Sequence, residues 1–415
     1  MTIFVSIAAY RDPELVPTIQ DCIAKARHPS EVRIVVCWQH GEGEQVDLVP
    51  CAGRLEFLGF DWRDSRGTCW ARAEIMKRWR GEDYYLQLDS HHRFVRDWDA
   101  KLAGQIAIAP SSKPLLTTYC QDYDLNTGRP VSTAPTRIDF DSFTSEGIPL
   151  YRSTSLSMDR RAGVRPPIRA RFVSAHFLFV AGSFVREVEY DPALYFHGEE
   201  ISLAVRAYSC GYDLFHPSEA VVFHRYSRDG RAKHWDDHCD GASVERPWYE
   251  RDHSSRNRVV EMLRERPIGR FAFGTCRTVD EYEKYAGIDF RARLIQDYTL
   301  NGGEPPNPPD ANWLKGPSTY QVVIELERSR LVEAGITCAL EWHFVLRDVA
   351  EVSVHEFVLR PEVVTGILAD TSPLILIQLS VESRAAPYGW ELKTGNGGAF
   401  RVLGGLVEAT LSSEP

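Results

Sequence analysis

Short apolar runs and amphipathic stretches alternate along the first part of the chain. The runs Ile3–Ala8 and Val32–Trp38 have the length of buried strands, and Leu55–Phe57 predicts a third. Between the first two runs, apolar residues follow helical spacing, and the pair Asp12–Pro13 is typical of a helix start. A strand, a helix and a strand in this order indicate a parallel sheet with right-handed crossovers. The helix-spaced positions are Leu15, Ile19, Cys22, Ile23 and Ala26.

The central stretch of this region is Tyr84–Phe94, which reads YYLQLDSHHRF. Its first residues, Tyr84–Leu88, predict a buried strand, and the polarity changes abruptly at Asp89. In open α/β sheets, ligands bind beyond the carboxyl ends of the strands. Asp89 and His91 lie on the same side of an extended chain, so an oxygen and a nitrogen can face one divalent cation. The alternative for such a pair is a solvated turn with satisfied histidines.

Basic residues collect just before this strand. A helix that is capped by Thr68 and followed by Gly81 is predicted there. Arg63, Arg66 and Arg72 surround the start of this helix, and a helix N-terminus with guanidinium groups is a phosphate site. Arginines on a wet surface are the alternative interpretation.

The middle of the chain loses its periodicity. Gln121–Ala170 is rich in Pro, Ser, Thr, Arg and Asp, and a structureless span of this length is usually functional or disordered. We interpret it as a mobile lid and acceptor-binding loop. The neighbouring predicted elements are a helix at Trp98–Ile108 and strands at Leu115–Tyr119 and Phe177–Val180.

A second dense stretch begins at Glu199 and Glu200, which open an amphipathic helix that ends at Gly211. Acidic residues in a first helical turn are expected from the helix dipole. One of the two can satisfy that role while the other faces a cleft. The predicted strand Val221–Phe223 then leads directly to His224, which places another imidazole at a strand end.

The segment Arg225–Pro267 is rich in Arg, His, Asp and Trp. Its residues His234, His238 and Cys239 repeat no metal-ligand spacing, so we interpret them as surface or lid residues rather than as a second metal site. Helices are predicted at Ser254–Arg264, Thr278–Tyr285 and Phe290–Tyr298.

The last quarter of the chain has a different composition and hydrophobic pattern. Asn301–Asp310 reads NGGEPPNPPD, a composition typical of a stiff linker. Short strands separated by turns follow, which predicts a small all-β domain that resembles a sandwich. We therefore expect an α/β domain at residues 1–300, a linker at residues 301–317 and a β-rich domain at residues 318–415. The predicted strands are Tyr320–Leu326, Cys338–Leu346, Val352–Leu359, Leu374–Val381 and Phe400–Leu406.

Composition narrows the classes of function. The 415 residues exceed what one core usually supports, and the net charge of -10 argues against a general binder of nucleic acids or membrane surfaces. No signal peptide and no apolar run of ~18 residues is visible, so we expect a cytoplasmic protein without a membrane anchor. Nine cysteines without a CxxC pair indicate reduced thiols rather than disulfides. Those inside predicted helices or strands are Cys22, Cys37, Cys69 and Cys210.

Four segments, taken together and in order, carry a resemblance to a known family. They are VSIAAYRDPEL at Val5–Leu15, DSRGTCWAR at Asp64–Arg72, LQLDSHHRF at Leu86–Phe94 and FHGEEISLAVRAYSCGYDLFHP at Phe196–Pro217. The predicted α/β domain resembles a GT-A-type nucleotide-sugar glycosyltransferase, whose Rossmann-like sheet carries an Asp-x-Asp or Asp-x-His motif. It is most similar to the GlcNAc-transferase family that includes the Skp1 hydroxyproline GlcNAc-transferase. The polypeptide GalNAc-transferases share the Asp-x-His form and a late histidine.

The resemblance implies a donor, a cofactor and a set of roles. The donor is a UDP-sugar, most simply UDP-GlcNAc, and the cofactor is a divalent metal, Mn²⁺ with Mg²⁺ as the second choice, that neutralises charge on the leaving UDP. The product is α-linked because the family is retaining, and the acceptor is a hydroxyl of a protein or peptide. Glu-Glu stands where the family has Glu-Asp, so either carboxylate can face inward. The implied residues are Asp89, His91 and His224 for the metal, Ala8, Tyr10, Arg11, Arg66, Arg72, Asp89 and Ser90 for the nucleotide-sugar, and Glu199 and Glu200 for catalysis.

Three alternatives stay open from the sequence. The first is the same donor chemistry on a glycan or small-molecule acceptor, and the second is a non-catalytic carbohydrate-binding protein with a degenerate transferase domain. The third is a metallohydrolase built on the histidines. The intact set Asp89, His91, His224, Arg72 and Glu200 favours an active transferase over the second. The β-rich domain lies outside the resemblance and can bind the acceptor, brace the enzyme or form a homo-oligomer.

Overall fold

The structure is a computed structural model that describes residues 1–46, 54–144, 146–156, 166–227, 230–336, 341–396 and 399–411. It divides the chain into two compact units. The first unit is Met1–Phe140 with Tyr151–Trp313, and the second is Asp141–Leu150 with Leu314–Pro415. A short segment from the middle of the sequence therefore belongs to the carboxy-terminal unit.

Both units combine strands with helices. The strands are β1 (Ile3–Tyr10), β2 (Val32–His40), β3 (Arg54–Asp61), β4 (Tyr84–Asp89), β5 (His92–Phe94), β6 (Pro114–Thr117), β7 (Thr136–Phe143), β8 (Pro149–Ser155), β9 (Ile168–Arg169), β10 (Phe177–Ala181), β11 (Asp213–His216), β12 (Val222–His224), β13 (Ile288–Asp289), β14 (Leu294–Gln296), β15 (Trp313–Lys315), β16 (Ser318–Glu327), β17 (Trp342–Arg347), β18 (Ser353–Leu359), β19 (Leu374–Ser383), β20 (Gly389–Asn396), β21 (Ala399–Leu406) and β22 (Glu408–Leu411). The α-helices are α1 (Leu15–Lys25), α2 (Thr68–Met76), α3 (Trp98–Ile108), α4 (Phe184–Glu187), α5 (Glu199–Ser209), α6 (His234–Asp237), α7 (Trp248–Glu265), α8 (Val279–Ala286), α9 (Asp297–Leu300), α10 (Arg328–Glu333) and α11 (Pro361–Ala369). Short 3-10 helices lie at Pro29–Glu31 and Trp62–Asp64.

The first unit is built on a mixed eight-stranded sheet in the order β3-β2-β1-β4-β10-β6-β11-β9. Strands β1, β2, β3 and β4 are parallel, and β10 runs antiparallel to both β4 and β6. β1 and β2 are buried along almost their whole length, as parallel strands covered on both faces are. The predicted α/β architecture with a parallel sheet is therefore confirmed, and its parallel strands end at a common edge.

A hydrophobic core joins this sheet to α1 and α3. α3 spans Trp98–Ile108, as predicted, and the Trp98 indole N–H donates a hydrogen bond to the Cys22 carbonyl at 2.8 Å. α1 buries the predicted face but begins at Leu15 rather than at Pro13. The helical pattern thus predicted the buried face correctly and the start only approximately.

The prediction of a structureless span at Gln121–Ala170 is wrong for the described residues. This stretch contains β7, in which Ile138 and Phe140 are buried, and all of β8 and β9. The Asp and Ser side chains between the apolar residues hid this strand from an interpretation based on composition, although Asp139 and Ser142 are buried. Residues 145 and 157–165, which the same prediction covered, lie outside the described residues.

Two predicted helix positions are also wrong. Phe290–Tyr298 forms the hairpin of β13 and β14, and only Asp297–Leu300 is helical. The helix after Thr68 ends at Met76, so Gly81 does not end it. Gly81 instead has a φ of 100° in the turn before β4, a conformation that glycine tolerates best.

The second unit packs antiparallel strands around a core of its own. β16 lies between β19 and β22, and Ser318 at its start pairs with Phe143. A further sheet has the order β18-β17-β20-β21. Helices α10 and α11 add to a domain that the sequence predicted to be all-β, and Val364 of α11 is buried in the core. The start of the predicted strand Cys338–Leu346 lies outside the described residues.

The described residues also bear on the expected state of the cysteines and on the search for membrane-spanning helices. Cys22 is buried, Cys37 and Cys69 are buried free thiols, and Cys210 is free but only partly buried. In the part of the chain that the structure describes, no helix has both the length and the apolar character needed to cross a membrane.

Candidate active site

Strand ends bring the predicted metal ligands to one place. Asp89 is the last residue of β4 and therefore lies at the carboxyl edge of the parallel strands. The chain continues through His91 into β5. β12 runs antiparallel to β5 with His224 opposite His92, so strand pairing carries a residue from far along the sequence to the same edge.

The ligand atoms lie at distances that one cation can bridge. Asp89 Oδ2 is 3.9 Å from His91 Nε2 and 3.5 Å from His224 Nε2. Two ligands that each lie about 2.1 Å from a cation are about 3–4 Å apart. Among the described residues, neither ring nitrogen of the buried His224 has a hydrogen-bond partner. A cation bound to one of these nitrogens would satisfy it. The residues therefore fit a divalent metal.

A buried arginine orients the carboxylate of this group. Arg72 Nη2 donates a hydrogen bond to Asp89 Oδ1 at 2.6 Å, and Arg72 Nη1 donates another to Glu199. Oδ1 of Asp89 is thus occupied, and Oδ2 is left to face the two imidazoles. Because Arg72 is only 1% exposed, the ion pairs are shielded from water and hold the carboxylate in one orientation.

Burial and neighbouring charges set the protonation of the ligands. Burial opposes the ionisation of Asp89, but the His224 ring, whose Nε2 lies 3.5 Å from Oδ2, and the Arg72 guanidinium hold the pKa of its carboxyl well below the usual value. Burial lowers the pKa of His224 to about 4, so its ring is neutral at neutral pH. An ionised carboxylate and a neutral imidazole are the forms that bind a divalent cation.

The two acidic residues at the start of α5 have different surroundings. Glu199 is buried and paired with Arg72, whereas Glu200 accepts hydrogen bonds from the Tyr119 hydroxyl at 2.5 Å and from the Ala175 backbone N–H at 2.9 Å. Burial raises the pKa of Glu200 to about 7, against these two hydrogen bonds. Glu199 therefore braces the arginine, and Glu200 is the carboxyl that titrates near neutral pH.

The turn after β1 is held by an acidic residue from far along the chain. The Tyr10 hydroxyl donates to Asp237 Oδ2 at 2.8 Å, and Arg11 Nη1 donates to the same oxygen at 3.0 Å. Arg11 Nε donates to Glu44 at 2.9 Å. Arg11 has a φ of 45°, which is uncommon for a residue with a side chain. Ala8 lies in β1, where it pairs with Asp89 of β4.

Comparison with known families decides the class of the protein. The model of a family described as glycosyltransferase (GlcNAc) matches residues 2–53 and 51–292, which is well over half of the chain. The chain belongs to this glycosyltransferase family. The matched range includes all of the predicted site, from Ala8 to His224. No curated protein matches this glycosyltransferase.

Two solved structures are similar to this glycosyltransferase at low identity. GalNAc-T7 with UDP, GalNAc and Mn²⁺ is 18% identical with a TM-score of 0.44, and the match covers 63% of this chain and 48% of that chain. TarS 1–349 of S. aureus in complex with UDP-GlcNAc is 12% identical with a TM-score of 0.41, and the match covers 68% of this chain and 70% of that chain. The chain thus spans about half of GalNAc-T7.

Of two further predicted residues of this glycosyltransferase, Ser90 lies beside the cation site, and Arg66 has its described contact elsewhere. Ser90 Oγ donates to Asp12 Oδ2 at 2.7 Å, and Arg66 is 55% exposed with its Nε 3.9 Å from Glu245. Asp12, which the sequence identified only as a helix cap, also contacts His91 Nδ1. Burial opposes the ionisation of Asp12, but the contact with His91 lowers the pKa of its carboxyl to about 2. The one feature of the sequence that could have identified Asp12 is its position shortly after the first strand.

A second group of candidate ligands, His92, Cys120 and His176, lies behind the first. Both ring nitrogens of His176 already have partners, the Cys120 backbone N–H at 3.1 Å and the Ser174 hydroxyl at 3.0 Å. The His176 ring stacks on that of His224 with centroids 4.1 Å apart. The group therefore supports the His224 ring of this glycosyltransferase. It was not predicted from the sequence, because its members are far apart along the chain.

Proposed function

We propose that this glycosyltransferase is a GT-A enzyme that moves a sugar from a UDP-sugar, with UDP-GlcNAc as the first candidate, to a hydroxyl of a protein or peptide. The convergence of Asp89, His91 and His224 at one edge of the sheet carries the proposal. One oxygen and two nitrogens suit a divalent cation, Mn²⁺ first and Mg²⁺ second. Asp89, His91 and His224 would hold this cation, which would supply positive charge to neutralise the leaving UDP.

The remaining donor contacts follow from the surroundings of that site. We assign the turn with Ala8, Tyr10 and Arg11 to the uridine, because it lies beside Asp89 at the ends of the parallel strands. We assign Arg66 and Arg72, which flank the start of α2, to the nucleotide and diphosphate side. The exposed guanidinium of Arg66 is available for a phosphate, and Arg72 acts through Asp89.

The transfer breaks the bond between the sugar C1 and the UDP β-phosphate oxygen and forms a bond between C1 and the acceptor oxygen. Retention needs either a carboxylate nucleophile or attack from the leaving-group face. Glu199 is paired with Arg72, and Glu200 accepts two hydrogen bonds, so neither is free to attack. We therefore favour attack from the leaving-group face. The β-phosphate oxygen takes the acceptor proton, and Glu200 positions the acceptor hydroxyl.

A screen of UDP-sugars for metal-dependent hydrolysis tests the donor, because slow hydrolysis needs no known acceptor. We expect Mn²⁺-dependent release of UDP from UDP-GlcNAc, at a rate about 100-fold lower in Asp89→Asn because the cation loses its charged ligand. Asp83→Asn is the matched control, since Asp83 precedes the same strand and bonds Thr2 instead. Hydrolysis that resists both a chelator and Asp89→Asn contradicts the proposal.

The acceptor is tested next with the donor so identified. Labelled sugar that appears on hydroxyls of peptides, in an α-linkage by NMR, supports a protein acceptor and retention. Transfer to glycans or small molecules alone changes the acceptor class but keeps the donor chemistry. Binding of UDP that ignores Mn²⁺, without any turnover, indicates a non-catalytic carbohydrate-binding protein.

A further inference from the structure

Asp12 lies where a residue that controls His91 would have to lie. It lies two residues after the end of β1, and its side chain is 5% exposed. Its Oδ2 is 2.7 Å from His91 Nδ1 and accepts the Ser90 hydroxyl at 2.7 Å. Its Oδ1 accepts the Glu14 backbone N–H at 2.8 Å. One oxygen thus serves the backbone at the start of α1, and the other serves the candidate metal site.

The contact determines which nitrogen of His91 carries the proton. A carboxylate that already accepts a hydroxyl and a backbone N–H is an acceptor only, so the ring nitrogen facing it must be the one that bears hydrogen. Nδ1 of His91 is therefore protonated, and Nε2 is left with a free lone pair. Nε2 is the nitrogen that faces Asp89 Oδ2, at 3.9 Å.

We infer that Asp12 is a positioning residue that holds His91 in the tautomer and orientation able to bind the cation, an inference that rests on the proposed function. Metal-binding histidines characteristically donate their second N–H to a carboxylate or carbonyl, and loss of that partner typically weakens metal binding about 10–100-fold. Ser90 supports the arrangement because its hydroxyl is donated to the same oxygen of Asp12. The role of Ser90 is therefore to brace Asp12.

Asp12→Asn separates the two functions of the carboxyl group. The amide oxygen can keep the hydrogen bond from Glu14, so the start of α1 is retained. The amide nitrogen then faces His91 Nδ1 as a donor, so the ring must accept there and carry its proton on Nε2. A protonated Nε2 has no lone pair for a metal. Asp21→Asn is the matched control, since Asp21 lies on α1 and also accepts a backbone N–H, from Phe94 at 2.7 Å.

Two measurements on the full chain test the inference. Heteronuclear NMR of the histidine ring nitrogens, assigned with His91→Gln, should find the proton on Nδ1 in the wild type and in Asp21→Asn, and on Nε2 in Asp12→Asn. Mn²⁺ titration followed by electron paramagnetic resonance should give about 10–100-fold weaker binding in Asp12→Asn, and unchanged binding in Asp21→Asn.

The outcomes separate this inference from the proposed function. A wild-type His91 with its proton on Nε2 overturns the role of Asp12. Equal weakening of Mn²⁺ binding in Asp12→Asn and Asp21→Asn also overturns it, because the effect would then be structural. A chain that binds no Mn²⁺ but has the Nδ1 proton in the wild type overturns the proposed metal function, and it supports the control of the His91 tautomer by Asp12.

Discussion

At the scale of single residues, the site is a set of carboxylates with unlike partners. Asp89 and Glu199 share the guanidinium of Arg72, whereas Glu200 is bonded to a hydroxyl and a backbone amide. Hydrogen bonds from neutral donors compensate the burial of a carboxylate less than an ion pair does. Glu200 is consequently the member of the set whose pKa is about 7.

We expect the raised pKa of Glu200 to appear in the stability of the protein. From pH 4.5, its ordinary pKa, up to about 7, the folded state keeps a proton that the unfolded state has lost. The contribution of Glu200 to stability therefore falls as the pH rises through this interval. Denaturant unfolding of wild type and Glu200→Gln should be measured at a series of pH values. The unfolding free energy of the wild type should fall relative to that of the variant as the pH rises.

Tyr119→Phe is the companion variant for this measurement. It removes a donor that favours the ionised form of Glu200, so the pKa of Glu200 should rise further and the loss of stability, which begins at the same pH, should continue to higher pH. A difference between wild type and Glu200→Gln that stays constant over the whole pH range would contradict the assigned pKa.

The sequence could predict the candidate ligands but not their supports. Asp89 and His224 each stand at the end of an apolar run, and that position can be read from the pattern. The supports depend on pairings between distant segments: Asp12 meets His91, and Tyr119 meets Glu200, only once the sheet has formed. Such contacts follow from strand register and side-chain direction, which one sequence does not specify.

At the scale of elements, the spacing of apolar residues predicted a helix correctly where the periodicity was strong and wrongly where it was weak. Trp98–Ile108 is helical as predicted because its apolar spacing agrees with its buried face. Phe290–Tyr298 has apolar residues at similar spacing, but Arg293 adopts a φ of 54° and the chain turns into β14. A turn of this kind is set by tertiary contacts, and no Gly or Pro in the sequence signals it.

The start of α5 makes a prediction about an element. Gly198 is its N-cap residue with a φ of 89°, and a Cβ added there would lie 2.5 Å from Val259 Cγ2. We expect Gly198→Ala to destabilise the protein by about 1–3 kcal/mol through backbone strain and overpacking. Because Glu199 and Glu200 follow directly, Mn²⁺ binding and turnover should weaken as well. Denaturant unfolding measures the first effect, and metal titration measures the second.

Two further variants make this prediction specific. Gly104 lies in the exposed part of α3 with no heavy atom within 4 Å of an added Cβ, so Gly104→Ala should stabilise the protein by about 0.5–1 kcal/mol. Val259→Ala removes the two closest atoms, Cγ2 at 2.5 Å and Cγ1 at 2.7 Å, and leaves Cβ at 2.9 Å, so the double variant with Gly198→Ala should be more stable than the sum of the two single effects. Strict additivity would show that the contact with Val259 does not matter.

At the scale of the whole molecule, the chain is two units with separate cores. The first core includes Trp98, and the second includes Trp342. The Pro- and Gly-rich segment was visible in the sequence, but the membership of Asp141–Leu150 in the second unit was not. That membership rests on the pairing of Phe143 with Ser318, which are distant in sequence.

We expect a core substitution to loosen only the unit that contains it. Trp98 and Trp342 are fully buried, and replacement of either by Ala should cost about 3–5 kcal/mol. In the full chain, hydrogen exchange followed by mass spectrometry should rise in Leu314–Pro415 for Trp342→Ala and in Met1–Phe140 for Trp98→Ala, so each variant is the control for the other. If either substitution loosened both units, the two units would not be stable independently of each other. Mn²⁺ binding by the first unit would then depend on a core that contains none of its ligands.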